Sequence, residues 1–232
     1  MKPSWILRLL AVCLAAGLLV SHAPRAAAEP VDLNLVLAVD ASGSVDQRRF
    51  ELQKRGYSAA FRNPRVSRAI ASGMLGAIAV TMYQWTGPRL QREAVGWMIV
   101  KDQDSANAFA DAIDAAPRML FGGGTSISGA IDHGVRVLAA APHEAMRRVI
   151  DISGDGANSS GRSSITARDE AVAKGIVING LPILSLEPFL DRHFEEEVIG
   201  GPGSFMVSAR DFENFGDAVL RKLISEIAEL KP

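Results

Sequence analysis

At 232 residues and 48% hydrophobic, the chain is long enough for one sizeable core. A formal net charge of -1 excludes the basic footprint of a nucleic-acid partner. A single cysteine excludes a disulfide framework and any site built on cysteine pairs.

Residues 1–28 read as a secretory signal peptide. Lys2 and Arg8 form a short basic start, residues 9–20 are an apolar run, and Ala26-Ala27-Ala28 fits a small-residue cleavage site. The run is too short for a comfortable membrane span, so none is expected after cleavage. A mature chain starting near Glu29, periplasmic or secreted, follows. Cys13 leaves with the leader, and Leu10-Ala11-Val12-Cys13 is a poor lipidation site because Val12 is bulky. Lys2, Arg8 and Arg25 leave too and no acid does, so the mature chain is the more acidic one.

Residues 29–232 form the predicted domain. Residues 33–39 are an almost uninterrupted apolar run, the pattern of a strand buried on both faces. Residues 46–61 carry Phe50, Tyr57 and Phe61 at helical spacing, and Asn63-Pro64 stops that helix. Residues 76–85 and 93–100 are strand-like and separated by Thr86-Gly87-Pro88, which predicts an antiparallel hairpin. Ser105 is expected to cap a helix to about Ala115, with Phe109 and Ile113 on one face. A glycine loop, residues 121–126, opens a helix carrying Ile127, Ile131, Val135 and Leu138. Residues 148–153 form a short apolar strand ending in Gly154-Asp155-Gly156. A polar loop over residues 158–164 leads to a helix through Lys174, and a strand over 177–184 follows. A short helix over 191–198, a last strand over 204–208 and a long amphipathic helix over 211–230 complete the chain.

Strands alternating with helices predict an α/β fold: a doubly wound, mostly parallel central sheet with one antiparallel edge strand and helices on both faces. In such sheets, sites form beyond the carboxyl ends of the strands. Asp40, Ser42 and Ser44 end the first strand, Asp155 ends a central one, and Thr125 sits in the glycine loop. Two carboxylates and three hydroxyls converging on one point suit a hard divalent cation. Asp40-Ala41-Ser42-Gly43-Ser44 alone is equally an ordinary strand-to-helix turn, since Asp, Ser and Gly dominate turns and caps.

Together, Asp40-Ala41-Ser42-Gly43-Ser44, Thr125 after Gly122-Gly123-Gly124, and Asp155 within Ser153-Gly154-Asp155-Gly156 resemble the von Willebrand factor type A family and its metal-ion-dependent adhesion site. The resemblance spans residues 31–230 and points to secreted bacterial proteins carrying this domain alone. It implies Ser42, Ser44 and Thr125 as direct ligands, with Asp40 and Asp155 acting directly or through water. Hydroxyl-rich ligation with few carboxylates favours Mg²⁺, with Mn²⁺ and Ca²⁺ as alternatives; the resemblance also implies one coordination position left open for an Asp or Glu of a protein partner. Asp46 is placed to orient a water or to cap the following helix. His133 and His143 are expected on the surface or in a helix.

The enzyme alternatives fail on residues. A subtilisin-like triad needs a histidine between Asp40 and Ser126, and the four histidines are His22, His133, His143 and His193. No phosphate-binding loop and no G-x-S-x-G elbow is present. The expected function is a non-enzymatic adhesion or scaffold module that binds a divalent cation and, through it, a partner's acidic residue. The alternative is an envelope accessory protein whose metal site captures no ligand. Arg162 in the polar loop is the expected flank for partner contact.

Overall fold

The computed structural model describes residues 29–228. The predicted signal peptide, and Leu230 at the end of the predicted last helix, lie outside the described residues. Five strands form one sheet in the order β3-β2-β1-β4-β5. They are β1 (Val31–Asp40), β2 (Ile78–Trp85), β3 (Gln91–Val100), β4 (Ala145–Gly154) and β5 (Val177–Pro182). β1 pairs in parallel with β2 and β4, β4 in parallel with β5, and only β3 runs antiparallel. The predicted fold class holds.

β1 sits at the centre because every residue in it is buried. Its pleat sends Leu33, Leu35, Leu37 and Val39 to one face and Val36 and Ala38 to the other. On the first face lie α1 (Gln47–Arg62), α2 (Pro64–Ala71), α3 (Gln103–Ala115) and α7 (Phe215–Ala228). Phe50, Tyr57, Phe61, Phe109, Phe215 and Leu223 fill that layer. On the second face lie α4 (Ile127–Ala139), α5 (Ser164–Val172) and α6 (Leu190–His193), which runs into a π turn at Phe194–Val198. Ile127, Ile131, Ile150, Ile152 and Phe194 fill the layer there. Among the described residues no helix is long and apolar enough to cross a membrane.

Several boundaries differ from expectation for local reasons. Asn63-Pro64 both ends α1 and starts α2: the Asn63 side chain accepts from Arg65 N at 3.0 Å, and Pro64 occupies the first helical turn, where its missing N–H costs nothing. The cap of α3 is Asp102, not Ser105. Ser105 is the reciprocal partner of a capping box, with its N–H on Asp102 Oδ1 at 2.8 Å and its Oγ accepting from Asp102 N at 3.1 Å. α7 begins at Phe215 rather than 211, because Asp211 Oδ1 accepts from Asn214 N and closes a separate turn first. The expected last strand is reduced to isolated bridges, Gly180 with Met206 and Ile183 with Ala209, along the outer edge of β5.

One buried cluster had no counterpart in the sequence reading. Lys222 of α7 is fully buried, with its Nζ 2.7 Å from Asp151 Oδ1 and 3.5 Å from Glu226 Oε2. The approach to Asp151 is close yet off hydrogen-bond geometry, which leaves Lys222 Nζ and Asp151 Oδ1 paired by charge alone. Asn179 of β5 donates to Glu226 Oε1 at 2.7 Å, tying α7 to the sheet edge.

Candidate metal centre

The carboxyl ends of β1 and β4 lie side by side, so their terminal acids meet. Asp40 and Asp155 are 0% and 1% exposed, which places both carboxylates at the floor of the site. Asp40 Oδ1 accepts from Ser42 N at 2.7 Å, folding the chain back over the acid. Asp40 Oδ2 accepts from Asp155 N at 3.3 Å. The Ser42 and Ser44 hydroxyls stand 3.2 Å apart, and Ser44 Oγ donates to Asp155 Oδ1 at 2.5 Å. Asp40, Ser42, Ser44 and Asp155 thus form one connected chain, as the residue pattern predicts.

Thr125 arrives from the neighbouring loop and its hydroxyl stands apart from that chain. Ser126 N donates to Thr86 O at 2.9 Å, and Thr86 Oγ1 donates to Gly122 O and Gly124 O, anchoring the glycine loop to the end of β2. Thr125 O receives Ser159 N and Ser160 N, which ties it to the loop after β4. A β-carbon on Gly43 would lie 3.5 Å from Gly123 O, so the two loops close on each other above the acids. Gly123 has φ +109°, and a side chain there would meet Thr86 Oγ1 at 2.6 Å; only glycine fits.

The electrostatics are those of a site short of positive charge. Burial, and then the neighbouring Asp155, push the Asp40 carboxyl up to about 7. Burial raises Asp155 as well, against the hydrogen bond from Ser44 and the charge of Arg49. Asp155 Oδ2 is buried with no hydrogen-bond partner, and Arg49 Nη1 is 3.9 Å from it. An orphaned carboxylate oxygen beside a second buried acid and the hydroxyls of Ser42 and Ser44 fits a hard dication. Among the described residues no three His, Cys, Asp or Glu side chains gather to hold a metal, so this site depends on its hydroxyls.

Other residues complete the site. Arg49 of α1 donates to Ser44 O at 2.7 Å, and the buried Gln53 donates to Asp40 O at 3.0 Å, so α1 fixes the loop that precedes it. Both lie one and two turns into the helix after the motif, the only sequence signal they carry. Asp46 caps α1 through Arg49 N at 2.8 Å, which settles its role as a cap. Glu187, after β5, accepts from Ala157 N and carried no signal at all. Arg162 is engaged within the chain: Asp132 and Glu170 hold its guanidinium at 2.6 Å each, and its side chain stays 36% exposed. His133 is half-buried in α4 against Tyr83, and His143 is half-buried in the turn before β4.

Solved structures share this fold at low identity. Proximal thread matrix protein 1 from the mussel byssus aligns with a TM-score of 0.60 at 14% identity, covering 87% of this chain and 47% of that one. Another form of that protein carries zinc in its MIDAS motif. A von Willebrand factor type A structure from Catenulispora acidiphila aligns at 0.56 and 15% identity, covering 87% of this chain and 43% of that one. The vWF domain of the type V pili tip protein Mfa5 from Porphyromonas gingivalis aligns at 0.56 and 10% identity, covering 85% and 97%. The chain therefore spans less than half of the first two proteins and nearly all of the third. The fold is that of von Willebrand factor A domains. No curated protein matches the chain. A family model described as "Protein of unknown function (DUF1194)" matches residues 30–231, and the chain belongs to that family.

Proposed function

We propose that this chain is an adhesion or scaffold module that holds a divalent cation on Asp40, Ser42, Ser44, Thr125 and Asp155 and uses it to capture an acidic residue of a protein partner. The observation that carries this reading is Asp155 Oδ2, buried and unpartnered beside a second buried carboxylate. Two carboxylates balance a dication, while three neutral hydroxyls add no charge, so the cation stays electrophilic toward an incoming acid. The amino ends of α1 and α4 lie next to Ser44 and Thr125 and add positive potential. Mg²⁺ suits hydroxyl-rich ligation with few carboxylates, and Mn²⁺ or Ca²⁺ would use the same oxygens. The zinc-bound mussel protein supports a divalent cation in this fold position. A binding role rather than catalysis, exerted outside the cytoplasm after removal of residues 1–28, completes the reading.

Calorimetric titration with Mg²⁺ and Mn²⁺ tests the cation, with uptake near one ion per chain expected. Capture of envelope proteins in Mg²⁺ and in EDTA then tests the partner. Equal capture in both buffers, with the fold intact by circular dichroism, would remove the metal from recognition and leave a plain scaffold.

A further inference from the structure

Glu187 lies outside the predicted ligand set, yet it stands at the mouth of the site. Both its carboxylate oxygens share one backbone donor, Ala157 N, at 3.3 and 3.2 Å. The point a β-carbon on Gly156 would occupy lies 3.4 Å from Glu187 Oε1 and 3.6 Å from Thr125 Oγ1. Gly156 has no side chain, so nothing of its own stands between the acid and the threonine hydroxyl. The charge of Glu187 also reaches Asp155 and raises its carboxyl further. Asp46, the other acid near the mouth, is committed to Arg49 N at 2.8 Å. Glu187 is held only by two long bonds to a single amide, which it can leave at little cost. Its chain neighbours Leu186 and Phe189 are 49% and 70% exposed. The loop therefore presents an acid between two apolar side chains, directly beside a site read as accepting such an acid from outside.

We infer that Glu187 is a built-in occupant of the cation's open position: with the cation bound, it turns from Ala157 N and supplies the carboxylate that a partner would otherwise supply. The inference rests on the metal reading above. Without the cation Glu187 stays on Ala157 N and forms no three-acid cluster with Asp40 and Asp155; brought to the cation, its carboxylate would quench the pull of the dication on an outside acid. A partner must then displace Glu187, and its apparent affinity falls by the fraction of sites left open. The displaced segment carries no buried side chain of its own between Ser185 and Phe189, so release disrupts no core packing.

The test is Mn²⁺ titration of the purified protein by calorimetry, with water-proton relaxivity of the bound ion, in wild type, Glu187→Gln and Glu187→Asp. Glutamine keeps an acceptor for Ala157 N and removes the charge; aspartate keeps the charge and loses reach. Both variants are expected to bind Mn²⁺ about tenfold more weakly and to gain relaxivity equivalent to about one further metal-bound water. Circular dichroism of the exposed-site variants should match wild type. Unchanged affinity and relaxivity in Glu187→Gln would overturn the inference and leave the metal reading standing. Weaker binding at unchanged relaxivity would reduce Glu187 to a field effect and overturn its place on the cation. A wild-type protein that takes up no Mn²⁺ would overturn both readings.

Discussion

Asp155 N donates to Asp40 Oδ2, so the two acids of the site are joined through the backbone rather than through a shared proton. Their positions are fixed without a cation, and their repulsion is left standing. Asp155→Asn keeps the shape and an acceptor for Ser44 Oγ. It should weaken Mg²⁺ uptake at least about tenfold and stabilise the cation-free protein by about 1 kcal/mol. Asp40→Ala should also lose the metal, but it strips the acceptor from Ser42 N and Asp155 N and should cost about 1–3 kcal/mol. Calorimetry and thermal melts of the two variants, read together, check both signs.

Thr125 is proposed to offer its hydroxyl to the cation, while its carbonyl accepts from Ser159 N and Ser160 N. The backbone bonds from Ser159 and Ser160 survive any side-chain change. Thr125→Ala should therefore leave the melting temperature within error and weaken Mg²⁺ binding several-fold, and Thr125→Ser should restore it. Loss of fold in the alanine variant, or full binding without the hydroxyl, would remove Thr125 from the ligand set.

Among the described residues, Lys222 is the one buried cation, and it stands with the buried acids Asp151 and Glu226. Lys222→Met fills the space and leaves both carboxylates unpaired in the core. Urea unfolding should show a loss of about 3–5 kcal/mol. Because Lys222 belongs to α7 and Asp151 to β4, the same pair pins the last helix to the sheet. Hydrogen exchange in α7 should accelerate in the variant before exchange in β1 does.

Burial pushes the Asp151 carboxyl from 3.8 to about 7, with Lys222 opposing and Glu226 assisting. The folded chain keeps a proton there that the unfolded chain releases above about 4. Stability from this group is therefore highest below that point and declines as the pH climbs to about 7. Asp40 and Asp155 act in the same direction in the cation-free protein. His133, held below its usual range by burial, acts the other way near neutrality, weakened by its partial exposure. The cation-free protein should melt lower at pH 8 than at pH 5, and Asp151→Asn should show the flatter profile.

The sheet was legible because β1 is buried on both faces, and Leu33 and the run from Leu35 to Val39 outweigh its few polar residues, Asp32, Asn34 and Asp40. The hydrogen-bonded part of the site was legible because Asp40, Ser42 and Ser44 are close in sequence and Asp155 ends the adjacent strand. What stayed hidden depends on contacts across the chain. Arg162 looked free because Asp132 and Glu170 sit on two different helices. Glu187 looked like any exposed acid. Lys222 did leave a trace: with Val219, Leu223 and Glu226 it falls on the buried arc of α7, where a lysine four residues before a glutamate is out of place.

The central place of β1 has a consequence for the order in which the chain is made. One flank of this first strand is closed by β2, where Leu33 meets Ile78. The other stays bare until Val31 can meet Ala145 and Val39 can meet Ser153. Any nascent or clipped product ending before Ala145 therefore carries a largely apolar strand with an unpaired edge, ready to join another copy. Such fragments should aggregate where the chain extended through Gly154 begins to hold together.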